Sequence, residues 1–402
     1  MGLLKKEDLN KKIKKEFQYT FSVEKSGIYA VVVSARAKSW LQNLKKFISF
    51  FNDDNLAVRV NNVGFPKLSG ERGEFDGEAS WNGNILKGLS QIHLFILNLK
   101  EGEQNINFVA KGEPFLEFIE IFRVDKNLIS IDPSKYDIED GNRRPWFNVL
   151  TGNVGIITIK AIASANLSPN QDDNDLQIRV NGIREQNNDP KAHQYWFWCG
   201  RILRGQSKIF IRIINLKLGF NYIEFWADRK PLFNELNVRV TISDRIPTVD
   251  DPLWTGDFYD DSEEMILARL IFGEARSQSE EAWIWVASSV FNRISSPTSD
   301  WWPDTVHDVI LQEQQYESFN QDNDNLPHIK NPHLDPTQKE SWEDCYKIAE
   351  TISKGQIKTI LEVTHFHSYT NPEDIKRFET KIVPNAKFLK KIDKMYFYSS
   401  PN

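Results

Sequence analysis

One glutamate stands where a helical pattern ends and another begins, in Gly273-Glu274-Ala275-Arg276. Upstream, Met265, Ala268, Leu270, Ile271 and Phe272 give a helix with one strongly apolar side, and Gly273 is its expected end. Asp261 is the expected N-cap, with Glu264 three residues on as its reciprocal capping partner. A second helix is expected from near Ser279, because Trp283, Val286, Ala287, Val290 and Ile294 follow the rhythm of a packed helical face. A carboxyl at the end of the first helix meets the negative pole of the helix dipole, which disfavours its charged form. Apolar neighbours such as Phe272 remove water and act in the same direction. An ordinary glutamate titrates near ~4.3. One held higher can give a proton to a leaving oxygen and take one back. Arg276 would oppose this if it pointed at the carboxylate, and is expected instead to face away or hold backbone.

Thr364-His365-Phe366-His367 follows Ile360-Leu361-Glu362-Val363 and precedes Asn371-Pro372, which predicts a strand leading into a turn. A period of two puts His365 and His367 on one face and Thr364, Phe366 and Ser368 on the other. His365 and His367 with Glu274, or with His328 and His333, could be written as a zinc set. The sequence has no second spaced ligand pair and no acid in a metal-motif register, so neither a metal nor any other cofactor is expected. Glu280, Glu281, Asp304 and Glu317 are the other acids that could serve beside Glu274. Glu280 and Glu281 read as first-turn helix acids, and no motif pins any of the four to a site.

The motifs around Glu274 resemble a known family. Leu267-Ala268-Arg269-Leu270-Ile271-Phe272-Gly273-Glu274-Ala275-Arg276 is similar to the signature of the SleB-type cell-wall hydrolases, a family of spore cortex-lytic enzymes and phage relatives. The resemblance continues through Glu280-Glu281, Val286-Ala287-Ser288-Ser289-Val290-Phe291-Asn292-Arg293 and Val306-x-x-Val309-Ile310. It ends with Gln315-Tyr316-x-Ser318-Phe319-Asn320 and Thr364-His365-Phe366-His367, all in the family's order. It implies a mainly helical, lysozyme-like α+β domain that cleaves peptidoglycan glycan strands between N-acetylmuramic acid and N-acetylglucosamine. Glu274 is then the catalytic acid/base, and Gln315, Tyr316, Thr364, His365 and His367 are candidates to bind substrate. Phe319 and Trp342 are expected in the core. Relatives act as lytic transglycosylases, which need only one such carboxyl because the substrate's own 6-hydroxyl attacks. The alternative is a hydrolytic muramidase or glucosaminidase, in which water attacks and a second carboxylate is wanted. A metal-dependent hydrolase and an inactive wall-binding or structural protein are the remaining alternatives. The chain departs from the family at Ile392-Asp393-Lys394-Met395, where relatives carry Ile-Gly-Asn-His.

Upstream of this domain the chain contains the same module twice. Gly27-Ile28-Tyr29-Ala30-Val31 answers Gly155-Ile156-Ile157-Thr158-Ile159, and Asp54 to Asn61 answers Asn174 to Asn181. Trp81-x-Gly83-x-Ile85-Leu86-x-Gly88 matches Trp198-x-Gly200-x-Ile202-Leu203-x-Gly205. Asn98-Leu99-Lys100-x-Gly102 and Pro114 then match Asn215-Leu216-Lys217-x-Gly219 and Pro231 at the same offset. An ungapped run over roughly 35 positions marks a duplicated domain. Short β-branched and apolar runs between Gly, Asn and Asp turns predict two antiparallel, jelly-roll-like β-sandwiches, at 1–127 and 128–245. Trp81 and Trp198 are expected in their cores, and Trp196 is expected to share the fate of Trp198. A protein partner or glycan for these modules is left open. Ile246-Pro247-Thr248-Val249-Asp250-Asp251-Pro252 breaks the pattern, so 246–254 is expected to be a linker before the 255–402 domain.

The whole chain of 402 residues, with 40% hydrophobic and 26% charged residues, is of multidomain length and globular composition. A net charge of −6 argues against a general nucleic-acid binder. No apolar run approaches a membrane span. Met1-Gly2-Leu3-Leu4-Lys5-Lys6 lacks the apolar stretch of a secretory signal, so action on a cell wall is expected to follow lysis, phage release or an injection system. Cys199 and Cys345 fall in different modules and are expected to be free thiols.

Overall fold

The computed structural model of the protein describes residues 1–44, 53–65, 81–168, 172–187, 195–296 and 302–400. Two compact units divide the chain, Met1–Asp244 and Arg245–Asn402. Among the described residues no helix is long and apolar enough to cross a membrane.

In the first unit, one half carries β1 (Gly2–Lys12), β2 (Glu16–Val23), β3 (Gly27–Arg36), α1 (Trp40–Leu44), β4 (Asn55–Val60) and β5 (Val63–Gly64). It continues with β6 (Trp81–Asn82), α2 (Gly83–Leu86), β7 (Ser90–Leu99), β8 (Gly102–Lys111) and β9 (Phe115–Arg123). The other half carries β10 (Leu128–Ile131), β11 (Arg144–Gly152), β12 (Gly155–Ser164), β13 (Asp175–Val180) and β14 (Ile183–Arg184). It is completed by β15 (Trp198–Cys199), α3 (Gly200–Leu203), β16 (Ser207–Leu216), β17 (Asn221–Asp228) and β18 (Leu232–Thr241). The first half runs β1-β9-β3-β7 in one sheet and β2-β8-β4-β5 in another; the second runs β10-β18-β12-β16 and β11-β17-β13-β14 in the same order. The halves are not separate sheets. β7 pairs in parallel with β11, so one nine-stranded sheet passes through both. Alternate residues of its strands serve opposite cores. Tyr29, Val31 and Val33 pack with Leu56, Val58 and Phe108, whereas Ile28, Ala30 and Val32 pack with Ile159, Ala161 and Val238. A strand covered on both faces reads as a continuous apolar run, which is why β3 and β7 do not alternate.

The repeated tryptophan motif has a structural cause in both copies. Trp81 and Trp198 are fully buried, and their indole N–H groups donate to Gln91 O at 3.0 Å and Lys208 O at 2.7 Å. A Cβ on Gly83 would collide with Lys38 O, and one on Gly200 with Asn166 O. Lys87 and Arg204, at φ 50° and 49°, then turn the chain in the left-handed region, followed by Gly88 and Gly205 at φ +82° and +89°. Trp196 does not follow Trp198 inward. It is only half-buried, under the Arg143 guanidinium.

The second unit is helical, with α4 (Glu263–Ala275), α5 (Glu280–Ile294), α6 (Val306–Leu311), α7 (Leu326–Lys330), α8 (Lys339–Ser353) and α9 (Pro372–Arg377). A small antiparallel sheet of β19 (Val363–His367), β20 (Lys387–Ile392) and β21 (Met395–Ser399) has the order β19-β21-β20. α4 is the central helix, packed against α5, α6, α7 and α8. Every residue of α4 is buried except Glu263 and Glu274. Its N-cap is Ser262, whose Oγ accepts from Met265 N–H at 3.1 Å, one residue later than expected. Asp261 is drawn instead into a fully buried ion pair with Arg269 at 2.7 Å. Arg269 also donates to Pro252 O and Ile329 O. Those extra acceptors satisfy a guanidinium whose burial would otherwise cost several kcal/mol.

The expected linker is part of this unit. Val249 O accepts from the Trp342 indole at 2.9 Å, and Trp254 N–H donates to Lys330 O at 2.7 Å. Its prolines end the sheet pattern, but its carbonyls satisfy buried donors of the helical core. Cys199 and Cys345 are buried thiols outside any disulfide.

Candidate active site

Glu274 lies in the last turn of α4, where the helix continues past Gly273 to Ala275. Gly273 is needed for contact and not for termination: a Cβ there would meet Ser318 Cβ at 2.7 Å and Ile329 at 2.8 Å. That close approach seats the short turn Glu317–Phe319 against the helix end. Ser318 N–H can then donate to Glu274 Oε1 at 2.9 Å. The end of α4 is held from three further sides. The Trp283 indole donates to Ala275 O at 2.7 Å, and Ser341 Oγ to Arg276 O at 2.9 Å. Arg276 bonds Phe272 O and Asn325 Oδ1, turning away from the carboxylate as expected.

Burial raises the Glu274 carboxyl above the ordinary carboxylate range, Ser318 pulls it back through its hydrogen bonds, and the negative charge of Glu317 adds to the rise. Dense packing around a group that still reaches the surface is what a proton donor to a bound ligand requires. Of the other four acids, only Glu317 acts on this carboxyl. Its Oε1 accepts from the Tyr369 hydroxyl at 2.8 Å. Glu280 and Glu281 are exposed in the first turn of α5, with Glu281 paired to Lys390. Asp304 is exposed ahead of α6.

Arg293 gathers most of the remaining candidates. Its guanidinium donates to Gln315 Oε1 at 3.0 Å and to Thr364 O at 2.8 Å, and lies 5.1 Å from the ring centre of Tyr316. Tyr316 is buried against Phe366, its hydroxyl without a hydrogen-bond partner. Thr364 Oγ1 contacts His365 Nδ1 at 3.0 Å and Ser400 Oγ at 3.1 Å. Burial, and then the charge of Arg293, push the His365 imidazole down to about 3. It is therefore neutral at any pH at which the protein would work, a hydrogen-bonding group and a weak base.

His367, two residues on, has a different environment. It is buried among Tyr369, Phe378, Tyr396 and Tyr398. Its Nε2 meets the Tyr398 hydroxyl at 3.2 Å and its Nδ1 accepts from Tyr369 N–H at 3.1 Å. Both ring nitrogens of His367 are used inside the domain, whereas His365 is held through Thr364. Phe319 packs on Phe258, and Trp342 is fully buried, as core residues. Among the described residues no three His, Cys, Asp or Glu side chains converge as a metal site.

Three contributors went unassigned in the sequence: Ser318, Arg293 and Asp393. The first two lie inside motif blocks, and their types, a hydroxyl residue and an arginine within apolar helix, were the available signal. Asp393, in the departing tail, accepts from Ser279 N–H at 2.8 Å and Ser279 Oγ at 2.6 Å, bracing the start of α5. The difference at Ile392-Asp393-Lys394-Met395 thus has a structural use, as the turn between β20 and β21.

Residues 277–398 match the family model described as Cell Wall Hydrolase. The match begins three residues after Glu274. No curated protein matches the chain. Among solved structures, the catalytic domain of the germination-specific lytic transglycosylase SleB from Bacillus anthracis is similar at 16% identity, over 34% of this chain and 93% of that one, with a TM-score of 0.23. Dimeric latent PorU from Porphyromonas gingivalis is similar at 14% identity, over 57% of this chain and 18% of that one, with a TM-score of 0.19.

Proposed function

We propose that the C-terminal domain, whose residues 277–398 match the cell wall hydrolase family model, cleaves the glycan strand of peptidoglycan between N-acetylmuramic acid and N-acetylglucosamine. The observation that carries the reading is Glu274: the one residue beyond the first position of a buried central helix that is not itself buried, with its carboxyl biased toward the protonated form. In that form it donates its proton to the glycosidic oxygen as the bond to the anomeric carbon breaks. The muramic acid 6-hydroxyl then attacks that carbon, and the Glu274 carboxylate takes the hydroxyl proton, closing a 1,6-anhydro ring. An attacker tethered within the substrate gains a large effective concentration over water. Ser318 N–H steadies the carboxylate formed between the two transfers. Gln315 and His365, set by Arg293 and Thr364, are the polar groups available to the acetamido sugars, while Tyr316 supports them from the core.

A second reading rests on Glu317. Its charge acts on Glu274 and it is held by Tyr369, so it is the carboxylate that could activate water in a hydrolytic enzyme. It is exposed, and the single-carboxyl route needs nothing from it.

We further read the first unit as a duplicated pair of jelly-roll-like sandwiches, supported by the matching strand orders and the matching tryptophan turns.

The experiment is Glu274→Gln assayed on purified sacculi. The amide keeps shape and polarity but cannot cycle a proton, and release of muropeptides is expected to fall about 10²–10⁴-fold. Activity within tenfold of the unaltered protein would remove Glu274 from the chemistry.

A further inference from the structure

The two halves of the first unit are joined by the parallel pairing of β7 with β11, in which Ile92 lies opposite Phe147 and Leu94 opposite Val149. By strand order β16 is the second half's counterpart of β7, and β2 is the first half's counterpart of β11. Each is the last strand of its sheet among the described residues. Among the described residues, both halves of the internal joint therefore recur at a sheet end, one in each half of the unit.

The side chains carry the same contrast. Ile92 and Leu94 on β7 are 3% and 0% exposed, whereas their counterparts Ile209 and Ile211 on β16 are 53% and 58% exposed. Bare apolar side chains on an unpaired strand edge are what edge strands ordinarily avoid. Phe147 faces Phe225 on β17 as Phe17 faces the equivalent Phe108 on β8, so the transposed internal register sets Ile209 opposite Phe17, Ile211 opposite Tyr19 and Ile213 opposite Phe21. Tyr19 and Phe21 belong to the first half's core and Phe17 packs against it, as Phe147 and Val149 belong to the core that Ile92 and Leu94 enter. The row on β16 would thus extend the core of an incoming sandwich.

We propose that the free edge of β16 receives the β2 edge of a second copy of this chain, in parallel, as β7 receives β11. The contact is head-to-tail, so each added copy leaves one β16 edge and one β2 edge open. Within the chain the joint benefits from a covalent tether; between chains that effective concentration is lost, so assembly depends on protein concentration.

Sedimentation of the full chain over a concentration series tests this, together with two cysteine variants. Arg212→Cys and Thr20→Cys occupy facing positions of the transposed register, and the native cysteines are buried. Mixed and mildly oxidised, the two variants are expected to give a disulfide-linked pair containing one of each, while neither links to itself. Ile211→Lys, at an exposed position, is expected to raise the association midpoint about tenfold or more with an unchanged circular dichroism spectrum. A chain that stays monomeric at every concentration overturns the proposal. So does Arg212→Cys linking to itself, which would mean β16 pairing with β16.

Discussion

Glu224 and Glu274 are both carboxyls that burial pushes upward, and they belong to opposite kinds of place. Glu224 is 1% exposed in β17, inside the shared sheet; it is raised to about 7 by burial, with Arg179 pulling it back only in part. Glu274 lies in the last turn of a helix whose other residues after Glu263 are buried, and it alone of the two reaches the surface. Burial favours the protonated form of both, but of the two only Glu274 is placed where a ligand could take the proton. A perturbed carboxyl becomes a catalytic candidate through access and a defined partner such as Ser318 N–H, and a raised value without access is a matter of stability.

Glu224→Gln sharpens that comparison most. A folded-state value above the ordinary 4.5 means that the stabilising preference for the protonated form is fully present below 4.5 and is lost as pH rises through about 7. Above pH 7 the folded protein carries a buried carboxylate, which the amide removes. The variant is expected to be more stable than the unaltered chain at pH 8 by roughly 3 kcal/mol. Near pH 4 the two should be equal, as read by calorimetry of the first unit's transition. Cleavage of sacculi should not change. A loss of cleavage would erase the distinction between the two glutamates.

Glu317→Gln has a smaller expected effect. Glu317 raises the Glu274 carboxyl, so removing its charge lowers that carboxyl and moves the falling alkaline limb of the pH–rate profile to lower pH. The rate at neutral pH should drop by less than about tenfold. A loss of about 10²-fold or more would instead make Glu317 a direct participant and favour water as the attacker.

Much of the site was legible because its parts are local. Glu274 at a helix end and the strand at Val363–His367 follow from periodicity, and Gln315 and Tyr316 were named from a motif block read in order. The separate fates of His365 and His367 were not legible. Strand alternation placed both on one face, but their surroundings come from distant residues: Arg293 and Trp302 for one, Phe378, Tyr396 and Tyr398 for the other. Asp261 shows the same limit at one residue's distance, since its capping role lost to a buried partner two turns along the helix. In the first unit the tryptophan turns were written in the sequence, while the parallel pairing of β7 with β11 was not. A strand's apolar run reports that both its faces are covered, without saying by what.

The central claim is glycan cleavage by a single carboxyl, and mass spectrometry of the products from purified sacculi tests it most directly. The account predicts soluble muropeptides ending in 1,6-anhydromuramic acid, formed by the unaltered chain and absent with Glu274→Gln. Reducing muramic acid or glucosamine ends would contradict the single-carboxyl route, and no release of muropeptides by the intact chain would contradict the activity itself.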